Sequence, residues 1–338
     1  MRLPSWKHQL AIDVGTATIH ISVKGDGVVV REPAVIAFSG HRRRAVAYGA
    51  EAKQMLDREV SEVEVVRPMQ GGVVADFDAA VALLRHLIHQ ALAHRPLFAP
   101  TVITGEPTCG TQVERRALVT ALRAAGAGEV IVIPRALAAA VGAGMPMDQA
   151  DCRLIIDMGA GATDIGVLSA GMIIAGASLH FGGDDLDEAI VRFVKRRYQQ
   201  RIGMATAEDI KVIAGATPGD LAPDQLRVDD PSGVSNGAGG VRLAGIPELM
   251  AASLRPVAGE AQWLLESLPD RQVEEIAATE GVLTGGCALM RGTTEILSQE
   301  LALTIRPATD PMSCTILGLE SILTDLEALT LDGRRFNA

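Results

Sequence analysis

Short apolar runs closed by aspartate and glycine alternate along this chain with longer segments whose apolar residues recur at three- and four-residue steps. The first pattern predicts β-strands and tight turns, the second amphipathic helices. Leu154-Ile-Ile stops at Asp157, glycines follow at 159 and 161, and a second apolar run opens at Ile165, which reads as a β-hairpin. Leu10-Ala-Ile stops at Asp13, Gly15 follows, and Thr18–Val23 completes the same pattern. The two aspartates lie 144 positions apart (157 − 13) in 338 residues, a spacing that suggests duplication.

Between and after the hairpins the elements alternate. Gly25-Asp26-Gly27 turns the chain into a strand at Val28–Arg31. The segment from Glu32 to about Val66, with strands at Ala34–Phe38 and Ala45–Tyr48, reads as a small inserted lobe. Phe77, Ala80, Val81, Leu84, Leu87, Ile88, Ala91 and Leu92 trace a helix. A strand at Thr101–Thr104 follows, then a helix to about Ala125 opened by the capping-box spacing of Thr111 and Glu114. Val130–Ile133 is the next strand, and Pro134 separates it from a helix at Leu137–Ala143. In the second half, helices are expected after Gly182-Gly-Asp-Asp185, from Thr206 to about Ala214, and from Pro247. Thr217–Gly245, rich in Pro, Gly and Asp, reads as loops around a weak hairpin. Gly281–Leu289 is an apolar strand ending on Gly285 and Gly286 just before a helix. Strand, helix, strand with short glycine turns is an α/β pattern, and the length fits about two domains.

Glycines in the hairpin turns let backbone amides approach a phosphate, and an aspartate at each strand end suits a hydrated Mg²⁺. The net charge of −10 and a pI near 5.2 argue against nucleic acid as a partner. The basic triplets Arg42–Arg44 and Lys195–Arg197 read first as a solvated turn and a helix face, with anionic lipid the sharper alternative for the arginines. Cys109, Cys152, Cys287 and Cys314 are scattered without metal spacing, and a reducing cytoplasm is the natural inference. His86 and His89, one helical turn apart, have no evident third ligand. The N-terminal residues do not read as a signal peptide, and no apolar run reaches the ~20 residues of a membrane-spanning helix. Pro96 and Pro100 hold Leu97 and Phe98 in a short loop whose apolar pair either tucks inward or meets a membrane.

Several of these stretches are specific together. Ile12–Ala17, Arg67-Pro-Met-Gln-Gly-Gly-Val-Val-Ala-Asp-Phe77, Thr111–Arg116, Ala138–Gly144, Gly182–Ile190 and Leu283-Thr-Gly-Gly286 resemble the bacterial actin homologue MreB, within the actin, heat-shock chaperone and sugar-kinase superfamily. The resemblance runs from about Leu10 to Leu319. It implies a duplicated actin-like fold: domain I over 8–149 with a small lobe at about 32–69, domain II over 150–325 with a small lobe at about 178–248, and a C-terminal tail at 326–338. ATP and Mg²⁺ would occupy the cleft. Asp13 and Asp157 would stand on the metal side. Gly15, Thr16, Ala17 and Thr18 would form one phosphate loop, and Gly159, Ala160, Gly161, Ala162, Thr163 and Asp164 the other. Glu208, Asp209, Ile210 and Lys211 would lie near the ribose, and Gly285, Gly286, Cys287 and Ala288 near the adenosine. The family's subunits join head to tail into paired filaments on the inner membrane face, where they guide cell-wall synthesis proteins and set cell shape. Leu97 and Phe98 match the family's apolar membrane loop; each yields about 1.5–3 kcal/mol on burial at best, so firm attachment requires many copies in a filament.

The chain also departs from the pattern. Where the family has a Glu-Glu-Pro-Met segment, whose second glutamate orients the attacking water, this sequence reads Pro134-Arg135-Ala136-Leu137. The threonine that helps hold that water is Ala162. A guanidinium accepts no proton, so nucleotide binding is expected to persist while hydrolysis is impaired. Arg135 would then either pair with the γ-phosphate, or swing out to solvent or salt-bridge locally. Cys314–Leu319 carries bulkier side chains than the family's glycine-rich segment, and Cys287 replaces a glycine. A non-polymerising regulatory partner of a standard MreB is the alternative to a filament protein. A kinase or chaperone of the superfamily is disfavoured, since no substrate domain is appended.

Overall fold

The computed structural model describes residues 8–40, 43–57, 63–93, 98–216, 225–226, 241–242 and 244–331. Leu97, Arg42 and most of 217–245 therefore lie outside the described residues; Gln225–Leu226 does pair with Val241–Arg242, as a two-stranded ribbon.

Two five-stranded sheets of the same design form the frame. In the first, β1 (Gln9–Val14), β2 (Thr18–Val23) and β3 (Gly27–Pro33) make an antiparallel meander. β4 (Thr101–Glu106) and β5 (Val130–Pro134) extend it in parallel from the β1 edge. In the second, β6 (Arg153–Met158), β7 (Thr163–Ser169) and β8 (Met172–Leu179) repeat the meander, and β9 (Gly281–Thr284) and β10 (Ile305–Pro307) repeat the parallel extension. The orders are β3-β2-β1-β4-β5 and β8-β7-β6-β9-β10. All six residues of β1 are buried, as expected of a central strand covered on both faces.

The helices follow from local signals. α1 (Phe77–Leu92) is N-capped by Asp76, and α2 (Gln112–Ala125) opens with a reciprocal Thr111–Glu114 capping box and closes on Gly126 at φ 119°. α3 (Arg135–Gly142) begins directly at Arg135, two residues before the expected Leu137; Pro134 supplies no side-chain cap, and the Thr108 hydroxyl instead accepts from the first-turn Ala136 N–H at 3.1 Å. In the second half come α4 (Gly183–Tyr198) and α5 (Met204–Ala214). α6 (Cys314–Leu331) shows that Cys314–Leu319 is the start of a helix.

α3 and α6 pack between the two sheets, each against the sheet of the other half. Ala136, Ala139 and Ala140 of α3 sit on Ile155, Leu168 and Val282, whereas Ile316, Leu319 and Leu323 of α6 sit on Ala11 and Ile103. Where the helices cross, a β-carbon on Gly142 would lie 1.8 Å from the Cys314 carbonyl oxygen, and one on Gly318 1.8 Å from that of Ala138. Only glycine permits this approach.

Smaller units stand on each half. On the first, strands Ile36–Ser39, Arg44–Tyr48 and Val63–Val66 form a sheet, together with a helix at Gly49–Asp57 that the mixed composition concealed. Arg43 pairs with Asp76 at 2.8 Å and Glu64 at 3.3 Å, so this member of the basic triplet is engaged by neighbouring acids. His86 stacks on Tyr48 with ring centroids 3.9 Å apart. Among the described residues no helix is long and apolar enough to cross a membrane.

Candidate functional site

The β1–β2 and β6–β7 turns face each other across a cavity of about 130 Å³ between the halves. Gly15, Thr16, Ala17 and Thr18 line it from one side, and Gly159, Ala160, Gly161 and Ala162 from the other. The turns are closed alike: Gly15 N–H donates to the Thr18 carbonyl at 3.1 Å, and Gly159 N–H to the Ala162 carbonyl at 2.9 Å. These positions keep the offset of 144 (159 − 15 and 162 − 18). Glycine is required for the close approach: a β-carbon on Gly15 would stand 2.5 Å from the Thr18 oxygen, and one on Gly161 2.7 Å from Thr16 Oγ1. Such turns leave room for an anion against the backbone.

The strand ends carry the charge. Asp13 pairs across the hairpin with His20, and Asp157 with Asp164. Arg135, the first residue of α3, enters between them. Its Nη1 lies 3.2 Å from Asp13 Oδ1 and its Nε 3.8 Å from Asp164 Oδ2, while Nη2 donates to the Val14 carbonyl at 3.3 Å. Its side chain is 15% exposed and that of Asp164 1%. Asp164 also accepts from Thr108 N–H and the Ser178 hydroxyl, both at 2.6 Å. Asp157 accepts from Thr284 at 2.8 Å and Thr315 at 3.4 Å. Burial raises the Asp13 carboxyl, but the Arg135 guanidinium and then His20 more than offset it, leaving Asp13 below the usual range. Burial pushes Asp157 up to about 6, with Arg135 opposing and Asp164 adding to the rise.

The sequence-based assignments divide between the cavity wall and positions behind it. The cavity is lined by Asp13, Asp157, both glycine turns, Gly285 and Gly286. Thr163 donates to the Phe181 carbonyl, and Ile210 is fully buried in the core of the second half, so neither lines the cavity. Glu208 faces Lys53 of the first half at 3.7 Å, and Asp209 is exposed. Lys211 Nζ donates to Asp187 at 2.8 Å and to the Gly183 carbonyl at 3.0 Å. Cys287 and Ala288 are buried; burial drives the Cys287 thiol up to about 12, and its Sγ donates to the Gly159 carbonyl. The helix expected after Gly285 is a single 3₁₀ turn, Gly286–Leu289, with an α-helix following at Thr293–Leu301.

Sequence reasoning missed His20, Gly72, Pro311, Met312 and Thr315 on the cavity wall. His20, Gly72 and Thr315 lie within stretches the pattern already marks, yet only the fold turns these particular residues toward the cavity. It also missed the ties between the halves: Arg67 to Asp184 at 2.8 Å, and His180 to the Gly71 carbonyl at 2.7 Å.

A magnesium ion held on Asp13 and Asp157 does not fit this arrangement. Mg²⁺ requires a near-octahedral shell of oxygens and parts with water reluctantly. Here the Asp13 carboxylate already faces a permanent cation, and each Asp157 oxygen already accepts a threonine hydroxyl, at 2.8 and 3.4 Å.

Two sheets of one strand order, exchanged central helices and paired glycine turns across a cleft define an actin-like fold. The solved structure of MreB 5 of Spiroplasma citri bound to AMPPNP superposes with a TM-score of 0.89 at 26% identity, covering 98% of this chain and 100% of that one. The MamK double helical filament superposes at 0.77 with 18% identity, covering 94% of this chain and 99% of that one, a likeness of fold alone. Residues 7–331 match the family profile described as MreB/Mbl protein. Cell shape-determining protein MreB of Escherichia coli (strain K12) is 37% identical over 326 residues, covering 93% of this chain and 92% of that protein. Mbl of Bacillus subtilis (strain 168) is 32% identical over 323 residues, covering 95% and 97%. The chain belongs to the MreB/Mbl family.

Proposed function

We propose that this chain is an ATP-binding, filament-forming cytoskeletal protein that acts in cell shape and wall synthesis at the inner membrane face, and that it hydrolyses ATP slowly. The cavity between the glycine turns supports the nucleotide reading, as do relatives solved with AMPPNP and ADP. Slow hydrolysis rests on one observation: the wall that would hold the attacking water carries Arg135, bound to Asp13, and the Ala162 methyl. Neither accepts a proton, and loss of a positioned base costs ~10²–10⁴ in rate. Phe98 is 44% exposed, compatible with a shallow membrane contact; its neighbour Leu97 lies outside the described residues. Glu208, Lys211 and Asp187 would frame the ribose, and Gly285 and Gly286 the adenosine.

Sedimentation with ATP and anionic liposomes tests the whole reading. Filaments that pellet with the liposomes, with phosphate release far below that of a standard MreB, are the expected result. A chain that stays in the supernatant alone but pellets with a standard MreB would instead be its regulatory partner. A chain that pellets with neither refutes the filament role.

A further inference from the structure

We infer that the Arg135 guanidinium is the cleft's own counter-cation, taking the place of a carboxylate-held divalent metal, so that the chain binds adenine nucleotide with little dependence on Mg²⁺. The inference rests on the nucleotide reading and goes beyond it.

The local sequence explains how a cation comes to be there. β5 ends at Pro134, α3 begins at the next residue, and the first side chain of the helix therefore projects at the strand ends where the two hairpins meet. All three guanidinium nitrogens are directed: Nη1 to Asp13, Nε to Asp164, Nη2 to the Val14 carbonyl. The planar fork thus bridges carboxylates of both halves, which a metal held between the halves would otherwise do. It cannot leave by losing its proton.

The nearest positive charge to Asp13 is already the guanidinium. Asp13 Oδ1 accepts no hydrogen bond and has the guanidinium as its ionic neighbour, while the second oxygen lies 3.8 Å from His20 Nδ1. A hydrated dication resting on Asp13 would stand beside a fixed positive charge inside a buried site, where screening is weak. The three contacts occupy at most three of the five guanidinium N–H groups, and Arg135 lines the cavity beside both glycine turns. The remaining donors suit a phosphate, for which the guanidinium fork is well matched. Charge neutralisation and anion recognition are then supplied by one side chain.

The test is the affinity of the wild-type chain for ATP, by calorimetry, in MgCl₂ and again in EDTA. We expect the two dissociation constants to agree within about threefold. A loss of about tenfold or more on chelation would overturn the inference while leaving nucleotide binding intact. Absence of binding in both buffers would refute the nucleotide reading and the inference with it. Arg135→Glu and Arg135→Ala should bind ATP with a clear preference for MgCl₂; equal affinities for a folded variant in the two buffers would also count against the inference. Since removal of Arg135 strands Asp13, a variant that fails to fold leaves the decision to the wild-type pair of titrations.

Discussion

The two hairpins that face each other across the cavity share a backbone and differ in charge. Each places an aspartate at the end of its first strand and closes its turn with the same bond, 144 residues apart. Yet the residue opposite Asp13 is His20, and the residue opposite Asp157 is Asp164. Like charges directly across a strand pair repel, whereas the Asp–His pair attracts when the ring is protonated. Arg135 deepens the difference by lying nearest Asp13. The outcome is one carboxyl held below its ordinary range and another raised to about 6. Duplication of a backbone does not carry duplication of its chemistry.

The largest effect should come from removing the group that separates the hairpins. Arg135→Glu with Ala162→Thr gives the second turn a threonine where the first has Thr18, and restores a proton acceptor near the water. Steady-state phosphate release should rise by ~10²-fold or more; no gain would mean that the water lies elsewhere. Next, Asp13→Asn leaves the buried guanidinium without its nearest counter-charge. Unfolding in denaturant should show a loss of roughly 3–5 kcal/mol, nearer the lower value because Asp164 remains.

Asp157→Asn should act in the opposite direction. A carboxyl whose value is raised on folding contributes stability that is full below its unfolded value and lost as pH climbs through about 6. The nucleotide-free variant should therefore exceed the parent above pH 6, by about 3 kcal/mol at most, and the gap should close on acidification. Thermal melts of both proteins from pH 4 to 8 would show it; a gap independent of pH would refute the assignment. Smallest of all, Arg67→Ala removes a partly exposed tie to Asp184 between the halves. It should cost about 1 kcal/mol or less and leave the pH behaviour of Asp157 unchanged.

Much of the frame was legible in the sequence because its signals are local. The hairpins announce themselves by apolar runs ending on aspartate and glycine, α2 by its capping box, and α1 by its period. What escaped was set by tertiary contact. The early start of α3 is met by the Thr108 hydroxyl on Ala136 N–H, a contact across 28 positions (136 − 108) that an alanine-rich segment does not betray. The Arg135–Asp13 pair joins residues 122 positions apart (135 − 13), and no periodicity records such a meeting. For the same reason Asp187 behind Lys211, and Thr284 and Thr315 on Asp157, came to light only with the fold.

The bare crossing of α3 and α6 has a mechanical consequence. With no side chain between Gly142 and the Cys314 carbonyl, or between Gly318 and that of Ala138, the rods meet backbone to backbone, like axles in a shared bearing. A single methyl added at either glycine would wedge them apart. Because Arg135 rides on the tip of one rod, the wedge would be felt at the cavity between the hairpins without touching it.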